Sequence, residues 1–132
     1  MYLCTNVSNM TTMLGNTRRP DVSFYRSGRI DITARTAKLL ALRDGDVIDI
    51  ATNGKEYYLY VKYKGDEVVG RHEAQCRPTK KGSRNYRAYS RRLCSIVLDL
   101  NGEANAAHLP VGEAESGGKM LPIIIRNNIK KL

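Results

Sequence analysis

The sequence is poor in cysteine and in long apolar runs, and both shortages limit where the protein is expected to work. The chain of 132 residues has three cysteines, Cys4, Cys76 and Cys94, with no C-x-x-C pair among them. An odd, scattered set of thiols argues against a disulfide framework and for a reducing compartment. No apolar run approaches the ~18 residues of a membrane helix, and no basic-then-apolar leader opens the chain. We therefore expect a cytoplasmic protein without a membrane partner.

Motifs for catalysis and for metal binding are also missing. The sequence contains no G-x-x-x-x-G-K-[ST], H-E-x-x-H or G-x-S-x-G pattern, so no familiar constellation supplies a nucleophile with its base. His72 and Cys76 have permissive zinc spacing, but Cys94 falls inside a predicted helix as an apolar residue and His108 lies in a predicted strand. We predict that the protein is not an enzyme and has no catalytic residue, metal site or cofactor.

Acidic residues are scarce relative to basic ones. Lys and Arg number 22 against 13 acids, which gives a net charge of +9. The segment from Arg71 to Arg92 holds one acid, Glu73, and eight basic residues, so it contributes 8 − 1 = +7. The eight are Arg71, Arg77, Lys80, Lys81, Arg84, Arg87, Arg91 and Arg92. Such a tract, which also contains Gly82, suits a loop laid on nucleic-acid phosphates. A solvated basic loop or one that docks on an acidic protein is the alternative.

The stretch from Gly28 to Lys62 predicts a strand, a helix and a β-hairpin. Arg29 to Ile32 alternates as a strand, and Thr33 is placed to act as the helix N-cap. The apolar spacing predicts a helix of about nine residues that stops at Asp44-Gly45. Upstream, Val22 and Phe24 alternate as a first strand.

The hairpin is indicated by Asn53-Gly54, because a two-residue turn of this type needs positive φ at both central residues. It would join strands at Asp46 to Ile50 and Tyr57 to Lys64.

The second half of the chain has the same order of elements. Asn85 to Tyr89 predicts a strand, Ser90 an N-cap, and Asn101-Gly102 a helix end. The offset between the two N-caps, Thr33 and Ser90, is 90 − 33 = 57 residues. The apolar side of the second helix is predicted to comprise Leu93, Ile96, Val97 and Leu100. A second hairpin would close on Gly117-Gly118. Because Pro122 cannot donate to a sheet ladder, the last strand should lie at an edge or begin after Pro122. An internal duplication explains this order, although unrelated βαββ units also resemble each other at this level of detail.

The first half resembles the AbrB/SpoVT-like swapped-hairpin domain, and the tandem arrangement is similar to MraZ-like proteins. The matching residues are Gly28-Arg29, Ile30-Asp31-Ile32, Leu39-Leu40-Ala41-Leu42 and Gly45-Asp46-Val47-Ile48-Asp49-Ile50. Thr33 departs from the proline of many members. The resemblance implies that two units pair into one barrel, either within one chain as a pseudo-dimer or between two chains. It also implies that basic residues near the first strand and helix, here Arg29 and Lys38, face DNA. No counterpart of the family's basic residue on the preceding strand is found.

Together these observations predict a β-rich α+β fold, a swapped-hairpin-like β-barrel built from two βαββ units on one chain. We expect a flexible arm at 1–20, a first unit at 21–64, a basic connecting segment at 65–84 and a second, diverged unit at 85–132, with 21–132 forming one compact domain. The predicted function is DNA binding, as an AbrB-like transcriptional regulator and a homo-oligomer, most simply a dimer. The predicted DNA contacts are Arg29, Lys38, Arg77, Lys80, Lys81, Arg84, Arg87, Arg91 and Arg92. The alternative is a non-enzymatic assembly protein that uses the same barrel to bind protein partners.

Overall fold

The protein has an α+β, strand-rich fold with two antiparallel sheets. A computed structural model describes residues 21–112 and 120–125. Within them lie eight strands: β1 (Val22–Tyr25), β2 (Arg29–Ile32), β3 (Val47–Thr52), β4 (Tyr57–Tyr63), β5 (Arg77–Pro78), β6 (Tyr86–Tyr89), β7 (Ala106–Leu109) and β8 (Leu121–Ile123). Two α-helices accompany them, α1 (Ala34–Leu40) and α2 (Arg91–Asn101), with a 3₁₀ turn at Gly65–Glu67. The α+β, β-rich prediction is confirmed; the strands of these residues form two sheets that do not close into a barrel.

The larger sheet has the order β5-β6-β2-β1-β7. Phe24 on β1 and Ile30 on β2 are fully buried, as the alternation of apolar and polar residues along these strands predicts. Helix α2 packs against β1, β2 and β7. One face of this sheet therefore lies on the core, and the alternate residues of the same strands form the opposite, outer face.

The smaller sheet has the order β3-β4-β8. Pro122 lies in β8, which pairs with β4 at one end of this order, in agreement with the predicted edge position. The other side of β8 is bonded to the segment before the undescribed residues, because the Pro122 carbonyl accepts from the Gly112 N–H at 2.7 Å. The β3–β4 hairpin also exists, but its predicted two-residue turn is wrong. Thr52 pairs with Tyr57, which leaves a four-residue loop in which Gly54 alone has positive φ, at 94°. The Asn53 side chain instead accepts hydrogen bonds from the backbone N–H groups of Lys55 and Glu56.

The segment from Ala74 to Cys76 joins the two sheets. The Ala74 N–H donates to the carbonyl of Tyr89 on β6, while its own carbonyl accepts from the N–H of Ile48 on β3. Ile48 and Leu59 of the smaller sheet belong to the same buried cluster as Phe24 and Ile30 of the larger one. The described residues therefore share one core.

Local signals located the starts of both helices correctly. The Thr33 hydroxyl accepts from the Thr36 N–H, and the Ser90 hydroxyl accepts from the Leu93 N–H. The predicted end of α1 is wrong, because the helix stops at Leu40 and Ala41 adopts a left-handed conformation with φ 53°. The Leu42 N–H then donates to the Ala37 carbonyl. This turn places the Leu42 side chain in the core.

The predicted apolar face of α2 is also wrong in part. The helix buries Cys94, Val97, Leu98 and Asn101, whereas Ile96 is 51% exposed. The end of α2 is as predicted, because Gly102 caps it in the left-handed region with φ 71°.

Two expectations lie outside the described residues: the arm at 1–20 and the turn of the second hairpin at Gly117-Gly118. In the part of the chain that is described, no helix has the length and apolar character needed to cross a membrane.

Candidate nucleic-acid interface

The nine predicted DNA-contacting residues divide into two groups. Four arginines form ion pairs with carboxylates: Arg29, Arg77, Arg87 and Arg92. The other five have no acidic partner within ion-pair distance among residues 21–112 and 120–125: Lys38, Lys80, Lys81, Arg84 and Arg91. A carboxylate that already neutralises an arginine weakens the attraction of that arginine for a phosphate, so the two groups differ as candidates.

Arg29 and Arg87 share the carboxylate of Asp31. Strands β2 and β6 are antiparallel neighbours in which Asp31 opposes Arg87, so both side chains stand on the outer face. Arg87 Nε donates to Asp31 Oδ1 at 2.8 Å, and this bond raises the pKa of Arg87 above its usual range. Arg29 Nε lies 3.3 Å from Asp31 Oδ2 without hydrogen-bond geometry, and the Arg29 guanidinium lies 4.2 Å from the centre of the Tyr25 ring.

The other two ion pairs lie at the surface. Arg77 Nη1 is 3.0 Å from Asp44 Oδ1, and Arg92 Nη2 is 2.7 Å from Glu73 Oε1. The Ser90 hydroxyl donates to Glu73 Oε2 at 2.7 Å, and this hydrogen bond, helped by Arg92, lowers the pKa of Glu73. Glu73, the acid of the basic tract, is thus bonded to the N-cap residue of α2.

Three of the unpaired cations lie on the loop between β5 and β6. The loop is held by its own hydrogen bonds: Thr79 N–H to the Asn85 carbonyl at 2.9 Å and Ser83 N–H to the Lys80 carbonyl at 2.9 Å. Gly82 takes φ 78°, a conformation that favours glycine. Lys80, Lys81 and Arg84 therefore extend from an ordered turn.

The loop and helix α1 enclose a groove of about 540 Å³. Asn85 Oδ1 accepts from the Ala34 N–H at 2.8 Å and ties the loop to the first turn of α1. Lys38 and Arg84 line the groove, and the residues that line it include no Asp or Glu. They are Ala34, Arg35, Ala37, Lys38, Ala41, Leu42, Ser83, Arg84 and Tyr86.

Among the groove residues that were not predicted as contacts, Arg35 and Tyr86 have the largest side chains with groups that can donate hydrogen bonds. Arg35 Nη1 lies 3.1 Å from Asp21 Oδ2, and the Tyr86 hydroxyl donates to the Leu42 carbonyl at 3.3 Å. The sequence offered one signal that Arg35 belongs to the site. Arg35 lies three residues before Lys38 on the same helix, and residues at that spacing are neighbours on a helix surface. Arg91 does not line the groove; it begins α2 close to Gly28.

The arrangement is suited to binding anions. Lys38 and Arg84 line one groove, and Lys80 and Lys81 lie on the loop that carries Arg84. In the described part of the chain, His, Cys, Asp and Glu form no group of three or more that could hold a metal ion.

Comparison with known proteins does not identify the chain. No family model, curated protein or solved structure matches it. The resemblance to the AbrB-like family stays a prediction.

Proposed function

We propose that the protein binds DNA and that Lys38, Lys80, Lys81 and Arg84 contact its phosphates. The observation that carries this proposal is the groove between α1 and the β5–β6 loop, which Lys38 and Arg84 both line and to which no Asp or Glu of the described residues contributes. Lysine and arginine side chains without an acidic partner are free to displace the counterions that surround nucleic acid.

The four paired arginines have a secondary role in this proposal. Surface ion pairs contribute about 0.2–1 kcal/mol each, so a phosphate can compete for their guanidinium groups. Arg87 is the most firmly held, through its hydrogen bond to Asp31. We expect Arg77 and Arg92, which are 58% and 80% exposed, to exchange partners more readily.

We also propose that the chain is a transcriptional regulator of swapped-hairpin type, with two related βαββ units, and that it works in the cytoplasm as a dimer. Three features support related units. Thr33 and Ser90 both cap a helix, both helices end in a left-handed residue, and the corresponding strands β2 and β6 are antiparallel neighbours. Such pairing is what a local twofold axis between the strands would produce.

A double variant tests the phosphate contacts. Lys38→Ala with Arg84→Ala removes both unpaired cations of the groove, and we expect the slope of log affinity against log salt to become shallower by about 1.8, or 0.9 per lost contact. The matched control is Lys55→Ala with Arg71→Ala, which removes the same charge from two exposed positions that do not line the groove. An equal change of slope in both variants would show that net charge, and not the groove, determines binding.

An assembly role is the second candidate. Val69 is 98% exposed, Ile96 51% and Ile124 64%. An exposed apolar side chain is stabilised when a partner buries it, so Ile96 on α2 is the position at which this role can be tested. Ile96→Lys should reduce the mass of the particle in solution if α2 forms that interface, and should leave the mass unchanged if the protein acts only on DNA.

A further inference from the structure

The outer face of the larger sheet carries aromatic and basic residues in register. It includes Tyr25, Arg29, Asp31, Arg87, Tyr89 and His108, which alternate with the buried apolar residues of β1, β2, β6 and β7. The backbone groups between these strands are bonded within the sheet, so its side chains determine what the face can bind.

Four of these side chains form a row across the strands. Tyr89 on β6 directly opposes Arg29 on β2. The Arg29 guanidinium lies over the Tyr25 ring of β1 at 4.2 Å, and the Tyr25 ring meets the His108 ring of β7 edge-on at 5.7 Å. At about 4.8 Å between strands, the row extends about 14 Å across the sheet.

The row is accessible and positively charged. Tyr89 is 60% exposed, and the Arg29 side chain is 38% exposed. Arg29 and Arg87 share one carboxylate, Asp31, so this cluster retains a net charge of +1. Arg91, two residues after Tyr89, adds a cation without an acidic partner among the described residues.

This combination favours one class of ligand. Aromatic rings and guanidinium groups stack on nucleobases, and a positive surface holds the backbone that connects them. The bases of a duplex are stacked inside the helix and cannot reach such a face, whereas the bases of a single strand can. We propose that the outer face binds single-stranded nucleic acid, with one base stacked on Tyr89 and the next on the Arg29 guanidinium.

The proposal rests on the proposed nucleic-acid function and assigns a single strand to the outer face, a surface distinct from the groove between α1 and the β5–β6 loop. Single-stranded DNA and single-stranded RNA offer the same stacking and phosphate chemistry, so the two are distinguished by experiment.

The test compares three probes of about 20 units: oligo(dT), oligo(U) and a random-sequence duplex. Fluorescence anisotropy at fixed salt is measured for the wild-type chain, Tyr89→Ala and Tyr89→Phe. The control is Tyr63→Ala, which removes a tyrosine that is 40% exposed on the other sheet. Melting temperatures establish that each variant is folded.

We expect Tyr89→Ala to weaken binding of a single strand about 5- to 150-fold, the range that corresponds to loss of one stacked base. Tyr89→Phe and Tyr63→Ala should bind like the wild type.

Since the chain has no tryptophan, Tyr89→Trp provides a reporter at a single position, and its fluorescence should be quenched by a stacked base. Tighter binding of oligo(dT) would identify DNA as the preferred strand, and tighter binding of oligo(U) would identify RNA; both support the proposal.

Two results would overturn it, and they differ in what else they imply. Unchanged single-strand binding by Tyr89→Ala, with duplex binding that still depends on Lys38 and Arg84, would reject the stacking face and leave the proposed function intact. An absence of binding to all three probes at low salt would reject both.

Discussion

Removal of the Ser90 hydroxyl should destabilise the protein in a way that depends on pH. This hydroxyl accepts from the Leu93 N–H at 3.0 Å and donates to Glu73 Oε2 at 2.7 Å. Loss of an N-cap costs about 1 kcal/mol. Loss of a hydrogen bond to a part-exposed carboxylate adds about 0.5–1.5 kcal/mol. We therefore expect Ser90→Ala to lower the free energy of unfolding by about 1.5–2.5 kcal/mol near neutral pH.

The pH dependence follows from the lowered pKa of Glu73, whose ordinary value is 4.5. A carboxyl group with a depressed pKa in the folded state stabilises the fold above its unfolded pKa, and this contribution is lost as pH falls through the folded pKa. The difference between wild type and Ser90→Ala should consequently be smaller near pH 3 than near pH 7.

Urea unfolding at several pH values measures both effects. The comparison variant is Thr33→Ala, which removes the cap of α1, where the hydroxyl bonds to backbone carbonyl and N–H groups and to the Thr36 hydroxyl instead of a carboxylate. The loss of unfolding free energy caused by Thr33→Ala should not change as Glu73 is protonated. A cost below about 0.5 kcal/mol for Ser90→Ala, or one that is constant with pH, would refute the reasoning.

Two further predictions concern a glycine and the buried thiols. At Gly28, with φ 102°, a Cβ atom would lie 2.9 Å from Arg91 Cγ and 3.1 Å from Arg91 N, so Gly28→Ala should cost about 1–3 kcal/mol in urea unfolding. Gly54→Ala, where φ is 94° and no atom lies within 4 Å, should cost less, and an equal cost would show that contact with Arg91 is unimportant. Burial raises the pKa of Cys76 to about 12 and also raises that of Cys94. In a Cys4→Ser variant, a thiol reagent near pH 8 should therefore label neither cysteine until the chain is unfolded, and stoichiometric labelling of the folded chain would contradict the buried placement.

The features that the sequence predicted correctly are local ones. Thr33 and Ser90 cap helices because a hydroxyl at that position reaches an N–H two or three residues ahead, whatever the rest of the chain does. Gly102 ends α2 for a similarly local reason, since glycine tolerates the left-handed conformation.

The incorrect predictions concern positions at which tertiary packing, and not the local sequence, determines the conformation. Ala41 has no sequence signal for a left-handed end, and α1 stops there because this turn places Leu42 in the core. Helix α2 is apolar on more than one side, and contact with the larger sheet selects the side that contains Cys94 and Leu98.

The candidate site was predictable only as a set of charges. The sequence located the basic tract, but whether a cation is free depends on strand pairing, which places Asp31 beside Arg29 and Arg87. Arg84 has no carboxylate partner among the residues that the structure describes. The groove itself depends on the bond between Asn85 and Ala34, 51 residues apart, for which no sequence pattern exists.

The most direct test of the proposed function is the salt dependence of duplex DNA binding by the wild-type chain. If Lys38, Lys80, Lys81 and Arg84 each neutralise one phosphate, log affinity should fall against log salt with a slope of about −3.6. Between about 50 and 200 mM salt that slope corresponds to a loss of about 150-fold in affinity. No binding at the lower salt concentration, or an affinity that does not change across the series, would contradict the account.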